Sequence, residues 1–520
     1  MKKNKIKYIA VFYPALIIML LLSTSCGDFL DETTDNRTVI DSNEKITKLL
    51  VSAYPETSYC YLAELASDNV DDNGSSWTAY NRLQTQAYSW ADITEVDTDG
   101  PQDLWDACYR AIATANQALE AIAESGTQAD LNAQKGEALL CRAFGHFVLV
   151  NIFSKAYSET TSETDLGIPY TEKPETTVSP QYDRSTVANV YRKIDADIEA
   201  ALPLLDDNIY DVPKYHFNKK AAYAFAARFN LYYRKYDKVV EYATRVLGDY
   251  PFSVLRDWEY ASTLSPNDDM RGNEFINTEN RATLLLISAN SVWGRIHGPY
   301  SIGSKYAHNR IISSGETTGS TGPWGSYSNF YYDYGSYSSF PKIVIRKINE
   351  YFEYTDPVNG IGFPHIIHPV FTTDETLLCR AEAYVFKNEY DKATADLSAF
   401  QEAYSSADPL NRQTVNAFYS GIGYYTPAEP TVKKALHPDF TVAPGEQENF
   451  VQCILHMRRI LTIHEGLRWF DIKRYGIQIY RRTVGNNSIT VTDVLPADDP
   501  RRAIQLPQDV ISAGLEANPR

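Results

Sequence analysis

The chain has 520 residues, 44% of them hydrophobic, and a formal net charge of −17. That length can bury a large core and allows roughly two to four domains, while so acidic a surface argues against nucleic acid or anionic lipid as a partner. The 38 tyrosines, against 21 phenylalanines and 4 methionines, stand out: a phenol packs on apolar groups while its hydroxyl stays wet, which suits a contact surface.

In chain order, Lys2, Lys3, Lys5 and Lys7 precede an apolar run from Tyr8 to Leu22 that is interrupted by Pro14. The run is too short to span a bilayer comfortably and reads as a signal peptide over residues 1–25. Ser23-Thr24-Ser25-Cys26 resembles a lipobox, in which Cys26 would be diacylated and become the mature N-terminus, although Leu22 stands four residues before the cysteine instead of three. Residues 26–41 then form a polar tether. The other cysteines (Cys60, Cys108, Cys141, Cys379, Cys453) are scattered, odd in number and without a CxxC pair, so neither a disulfide framework nor a zinc site is expected.

After a short helix, Ser67 to Tyr80 is a loop by its Asp, Asn, Gly and Ser content. Gly100-Pro101 opens a helix with Trp105, Cys108, Ile112, Leu119 and Ile122 on one stripe. A partner runs from about Leu131 to Phe153, and a third helix carries Val187, Val190, Ile194 and Ile198. Ala226 to Leu247 and Arg380 to Phe400 repeat each other, sharing Tyr-Asp-Lys at Tyr236 and Tyr390, and each fits a helix–turn–helix unit of tetratricopeptide type. Thr372 with Glu375 has the pattern of a capping box for the later unit. Two copies cannot close a solenoid, so divergent helix pairs should stack beside them.

Between the repeats, an irregular insert over about 256–370 is rich in Gly, Ser and Tyr, with a short strand expected at Thr283 to Ser288. Trp324, Tyr327, Phe330, Tyr331 and Tyr332 crowd together there, as in an adaptable recognition surface. Late in the chain Asn449 to Gly476 reads as one helix, with Glu465, Arg468, Asp471 and Arg474 alternating acid and base along a stripe and Gly476 placed to end it. That stripe reads as structural. His464-Glu465 begins like a zinc-protease signature, but Arg468 stands where the second histidine must be, and His365 and His368 have no nearby third ligand. Gly485-Asn486-Asn487 reads as a hairpin turn.

The stretch EGLRWFDIKRYG is similar to the C-terminal signature of the SusD/RagB family, surface lipoproteins that work with TonB-dependent transporters. LWDACYRAIATANQAL, GEALLCRAFGHFVLVNIFSKAY, YDRSTVANVYRKIDADI and FNKKAAYAFAARFNLYY resemble successive family segments, in order. The resemblance implies a single, mainly α domain over residues 42–520, a scaffold of tetratricopeptide-like helix pairs with minor β and long loops that hold the ligand. It also implies anchoring to the outer membrane through lipid on Cys26, and a SusC-like TonB-dependent transporter as partner. Asp28, Asp31 and Glu32 resemble the acidic tag that directs such lipoproteins to the outer face. Within that reading no catalytic residue, metal or cofactor is expected. A glycan ligand would be stacked on aromatic faces while Asp, Asn and Gln bond its hydroxyls. The candidate binding residues are Trp77 (beside Asp71, Asp72 and Asn73), Tyr80, Trp293, Trp324, Tyr327 and Tyr331; Trp90, Trp105 and Trp469 are assigned to the core. Two alternatives stay open: a peptide ligand, as on the RagB side of the family, and an all-helical glycoside-processing enzyme.

Overall fold

The computed structural model describes residues 42–125, 128–175, 181–265, 269–332, 334–336, 339–485 and 488–520. The signal peptide, Cys26 and the tether lie outside them. The chain divides into two units, Met1–Lys45 and Ile46–Arg520, and the second carries everything that follows.

Helix dominates, with minor β, as expected. Pro101–Glu124 begins with Pro at its first turn, where the missing N–H costs nothing, and packs along Asn132–Phe153. The latter is apolar enough to cross a membrane, with a mean hydropathy of 1.3, yet it is buried throughout inside the protein. Val187–Ala201, capped by the Thr186 side chain, packs on its other side. Phe144 and Phe147 carry the contact onward to Phe225, with ring centroids 5.7 and 5.5 Å apart.

The two repeats are helix pairs: Lys219–Tyr232 with Tyr236–Leu247, and Thr373–Phe386 with Tyr390–Tyr404. Each Tyr-Asp-Lys opens the second helix of its pair. Each turn is made by a non-glycine residue in the left-handed region, Arg234 at φ 62° and Asn388 at φ 59°. Tyr236–Leu247 packs on Thr373–Phe386, so the repeats are stacked neighbours despite the insert between them. Thr372 accepts the Glu375 amide at 3.3 Å, but the Glu375 carboxylate turns to Arg228 instead of back to the cap, so only half of the capping box forms.

Asn449 to Gly476 is two helices, not one: Glu446–Leu461 and Leu467–Tyr475. His464 (φ 73°) and Gly466 (φ 78°) break it, and a Cβ at Gly466 would press to within 3.0 Å of the Tyr59 ring and 3.1 Å of Ala63. Glu465 therefore falls in the turn and pairs with Lys347 rather than with Arg468.

The insert contains more order than its composition suggested. Thr283–Asn290 is the expected strand, somewhat longer, and it lies beside Ile361–Thr372, which pairs in turn with Glu350–Asp356 in an antiparallel sheet. A second sheet runs in the order Tyr306–Ala307, Asp71–Asp72, Ile479–Val484, Ile489–Leu495. Its last two strands flank the expected late hairpin turn, of which Asn486 and Asn487 lie outside the described residues. Gly335–Ser336 pairs with Ile343–Val344. Trp90, Trp105 and Trp469 are buried, and so are the five cysteines, as free thiols.

Candidate functional site

The loop that carries Trp77 grows out of the short strand Asp71–Asp72 at the centre of the four-stranded sheet. Gly74 turns the chain at φ 88°, with its amide bonded to Asp72 Oδ1 at 2.8 Å, and the Trp77 amide closes onto the Gly74 carbonyl at 3.3 Å. The segment leading into this loop is held by arginines from the C-terminal region. Arg481 donates to the Leu65 and Ser67 carbonyls, both at 2.7 Å, and Arg459 to the Asp68 carbonyl at 2.7 Å. Arg468 grips the Asp68 carboxylate with two bonds of 2.8 and 2.9 Å, and Arg482 grips Asp71 at 2.9 and 2.8 Å. The Arg482–Asp71 pair is buried and the Arg468–Asp68 pair nearly so. The Asp68 carboxyl is penalised by burial but held well below the usual carboxylate range by Arg459 and Arg468. Glu316, facing Lys434, Arg482 and Arg459, is likewise brought down to about 2. The charged stripe of the C-terminal helices is thus structural, and one thing it fixes is the base of the Trp77 loop.

Trp77 is half-buried and lines a cavity of 360 Å³. Facing it are Asn73, Asn309, Arg310 and Phe340, with Lys342 and Val484 beside them. Asn309 Nδ2 donates to Asn73 Oδ1 at 3.0 Å, and Asn73 Nδ2 to the Ser304 carbonyl at 2.8 Å, so the two amides are pre-set against one another. Arg310 is exposed and reaches Ser336 Oγ at 3.2 Å. The Lys342 ammonium is buried against the Ile296 and Ile302 carbonyls at 2.5 and 2.7 Å, and burial brings its pKa down to about 7. An aromatic face, amides that both donate and accept, and one exposed cation make a wall that can bind hydroxyl-rich or anionic groups.

The other expected binding residues do not join this cavity. Trp293 is 2% exposed, and its indole N–H donates to the His464 carbonyl at 2.8 Å; it packs beneath the surface instead of presenting a face to solvent. Trp324 is 4% exposed and lies between Phe330 and His456, with centroids at 5.3 and 4.8 Å. The exposure expected of both is therefore corrected: each fills space that a small residue would leave empty. Tyr80 is half-buried beside Arg295. Tyr327 is 47% exposed, and Tyr331 is tied through its amide to the Tyr404 carbonyl at 3.1 Å, at the end of a repeat helix. The two loop segments do meet, but through Asn309 and Arg310 rather than through tryptophans. Neither residue stood out in the sequence, since no motif or periodicity marks an amide that becomes a wall only when distant strands pair.

Comparison with known proteins agrees with this architecture. Residues 28–231 match the SusD-like family model described as starch-binding and associating with the outer membrane. No curated protein matches the chain in sequence. A SusD superfamily protein from Bacteroides thetaiotaomicron superposes with a TM-score of 0.63 at 16% identity, over 91% of this chain and 98% of its own. One from Bacteroides vulgatus gives 0.59 at 21% identity, over 91% and 97%. A SusD-like carbohydrate-binding protein from the same species gives 0.62 at 16% identity, over 90% and 96%. Over residues 28–231 the chain is similar in sequence to the SusD-like family, and across nearly its whole length its fold is similar to that of SusD superfamily structures.

Proposed function

We propose that the chain is a non-catalytic glycan-binding lipoprotein, anchored through Cys26 at the outer face of the outer membrane. In this reading it captures an oligo- or polysaccharide at the Trp77 cavity and passes it to a SusC-like TonB-dependent transporter. The observation that carries the reading is the half-buried Trp77 indole set against the Asn73–Asn309 amide pair, with Arg310 at the edge. The C–H face of a pyranose packs on the negative face of an indole while paired amides serve its hydroxyls. A family model described as starch-binding and associating with the outer membrane, and a structural neighbour named as carbohydrate-binding, support it. A lipid on one residue tethers but does not transport, so captured ligand must be handed on.

The test is a glycan-array screen of the purified chain followed by calorimetry of Trp77→Ala against each sugar the array returns. Loss of one stacked indole should weaken binding by about five- to a hundred-fold, from ~1–3 kcal/mol for an aromatic stacking platform, with little change in Tm because Trp77 sits on a loop. Full affinity would sink the site, and a blank array would point to peptides. Cys26→Ala should move the protein from the membrane to the soluble fraction; a variant still membrane-bound would end the anchoring idea.

A further inference from the structure

A second cavity, of 560 Å³, shares no residue with the first. Its floor is one face of the helix Pro101–Glu124: Trp105, Tyr109 and Ala113 follow at steps of four, with Pro169 and Leu515 closing the sides. Tyr182, 40% exposed, stands at the rim, its hydroxyl donating to Glu175 Oε1 at 2.7 Å, which fixes the ring.

Two features point to a ligand. The first is unpaired polarity. Most of this protein's partly buried charges are paired, as Arg142 is with Asp197 and Arg380 with Asp396. Yet Asp106, half-buried in this cavity, forms no ion pair among the described residues; Arg110 and Lys173, which also line it, are exposed. Partial burial and the nearby Asp509 carboxylate hold the Asp106 carboxyl above its usual value, so it stands in a setting where an added hydrogen-bond donor would be welcome. The second is that the adjoining backbone is already occupied. The Pro169 carbonyl accepts from Tyr109, the Thr171 carbonyl from Asn116 at 3.2 Å, the Glu172 carbonyl from Arg142, and the Thr171 amide donates to His146. Among the described residues, the 169–172 backbone thus offers no free strand edge for a peptide to pair with. A ligand must be read by side chains, and these offer aromatic faces, donors and acceptors together. The acids Asp106 and Glu175 balance the bases Arg110 and Lys173, which favours an uncharged, hydroxyl-rich molecule.

We propose that this cavity is a second oligosaccharide site, selective for neutral glycans and independent of the Trp77 site. The experiment is calorimetry of the purified full chain with maltoheptaose, cellohexaose, xylohexaose and mannohexaose, in the wild type, in Trp77→Ala, in Tyr182→Ala, and in Trp77→Ala combined with Tyr182→Ala or Arg110→Ala. The expected result is that Trp77→Ala still binds at least one of these sugars. Adding Tyr182→Ala should then weaken that binding about five- to a hundred-fold, and Arg110→Ala should weaken it as well, with Tm unchanged because both residues lie at the rim. Residual binding indifferent to both substitutions, or no residual binding to any of the four, overturns the proposal. So does loss of a co-purifying membrane protein in the Tyr182→Ala chain without any effect on sugar, which would make the cavity a protein contact. If instead Tyr182→Ala alone abolishes binding and Trp77→Ala changes nothing, the second site stands and the Trp77 assignment falls.

Discussion

An indole can serve a sugar only with a face in water, and once that face is buried its N–H must find an acceptor. Trp77 keeps part of its surface at a cavity, whereas Trp293 gives its N–H to the His464 carbonyl and packs edge-on to Tyr61 at 5.8 Å. Trp293→Ala should therefore behave as a core truncation, costing about 3–5 kcal/mol of stability, measured by urea unfolding. A Trp293→Ala chain of full stability would show that the ring is not packed as described. In the sequence both tryptophans stand in loop-like surroundings, so composition could not separate them; what separates them is an acceptor contributed by a turn 171 positions away. Arg468 follows the same logic. Its charge was visible, and so was a structural role, but its partner Asp68 lies 400 positions distant and no local pattern pairs them.

At the scale of elements, positive backbone angles decide where helices stop. Gly476 ends Leu467–Tyr475 at φ 57°, and a Cβ there would collide with the His437 carbonyl. Gly248 ends Tyr236–Leu247 at φ 66°, with nothing within 4 Å of an added Cβ. Gly476 (ψ 34°) is left-handed and Gly248 (ψ −164°) lies in the region beyond it that only glycine adopts readily, and such a conformation alone costs an alanine about 1–3 kcal/mol. Gly248→Ala should lose about that much, and Gly476→Ala distinctly more because the 437 segment must also shift, as thermal unfolding of the two variants would show. Equal losses would mean that the His437 contact relaxes freely. The stop at Gly476 was legible from residue type, as were the helix pairs of the repeats, because Tyr-Asp-Lys recurs and apolar stripes follow the helical period. The break at Gly466 was not. Apolar and charged residues keep nearly helical spacing across it, and only the approach of Tyr59 and Ala63 makes a Cβ there unwelcome. The hairpin of Glu350–Asp356 with Ile361–Thr372 also escaped notice, because its first strand is mostly exposed and lacks the strong alternation of a half-buried one.

For the whole molecule, the interior is unusually rich in histidines kept neutral. Burial brings His146, His297, His368 and His456 down to about 3 and His308 to about 4, and holds His464 well below its usual value. His297 stacks on His464 at 4.4 Å. Lys342 and Lys347 nearby disfavour its protonation further. The unfolded chain takes up protons at these rings near the ordinary histidine value of 6.5, whereas the folded chain does not until far lower. Their contribution to stability is therefore full above about 6.5 and is lost as pH falls toward 3–4. Two buried acids oppose this: Glu64 and Asp99 are raised to about 7 by burial, so the folded state binds their protons first and gains stability as pH drops through the same range. Six depressed histidines still outnumber these two acids and the less strongly raised Asp71, Asp106 and Asp396, so between pH 6.5 and 5 the unfolded chain gains more protons than the folded one. The midpoint of urea unfolding should fall steadily across that interval. His297→Asn, which removes one such ring, should flatten the dependence relative to the wild type. A midpoint that stays level or rises from pH 6.5 to 5 would mean that the acids dominate, or that the histidines reach water more readily than their burial indicates.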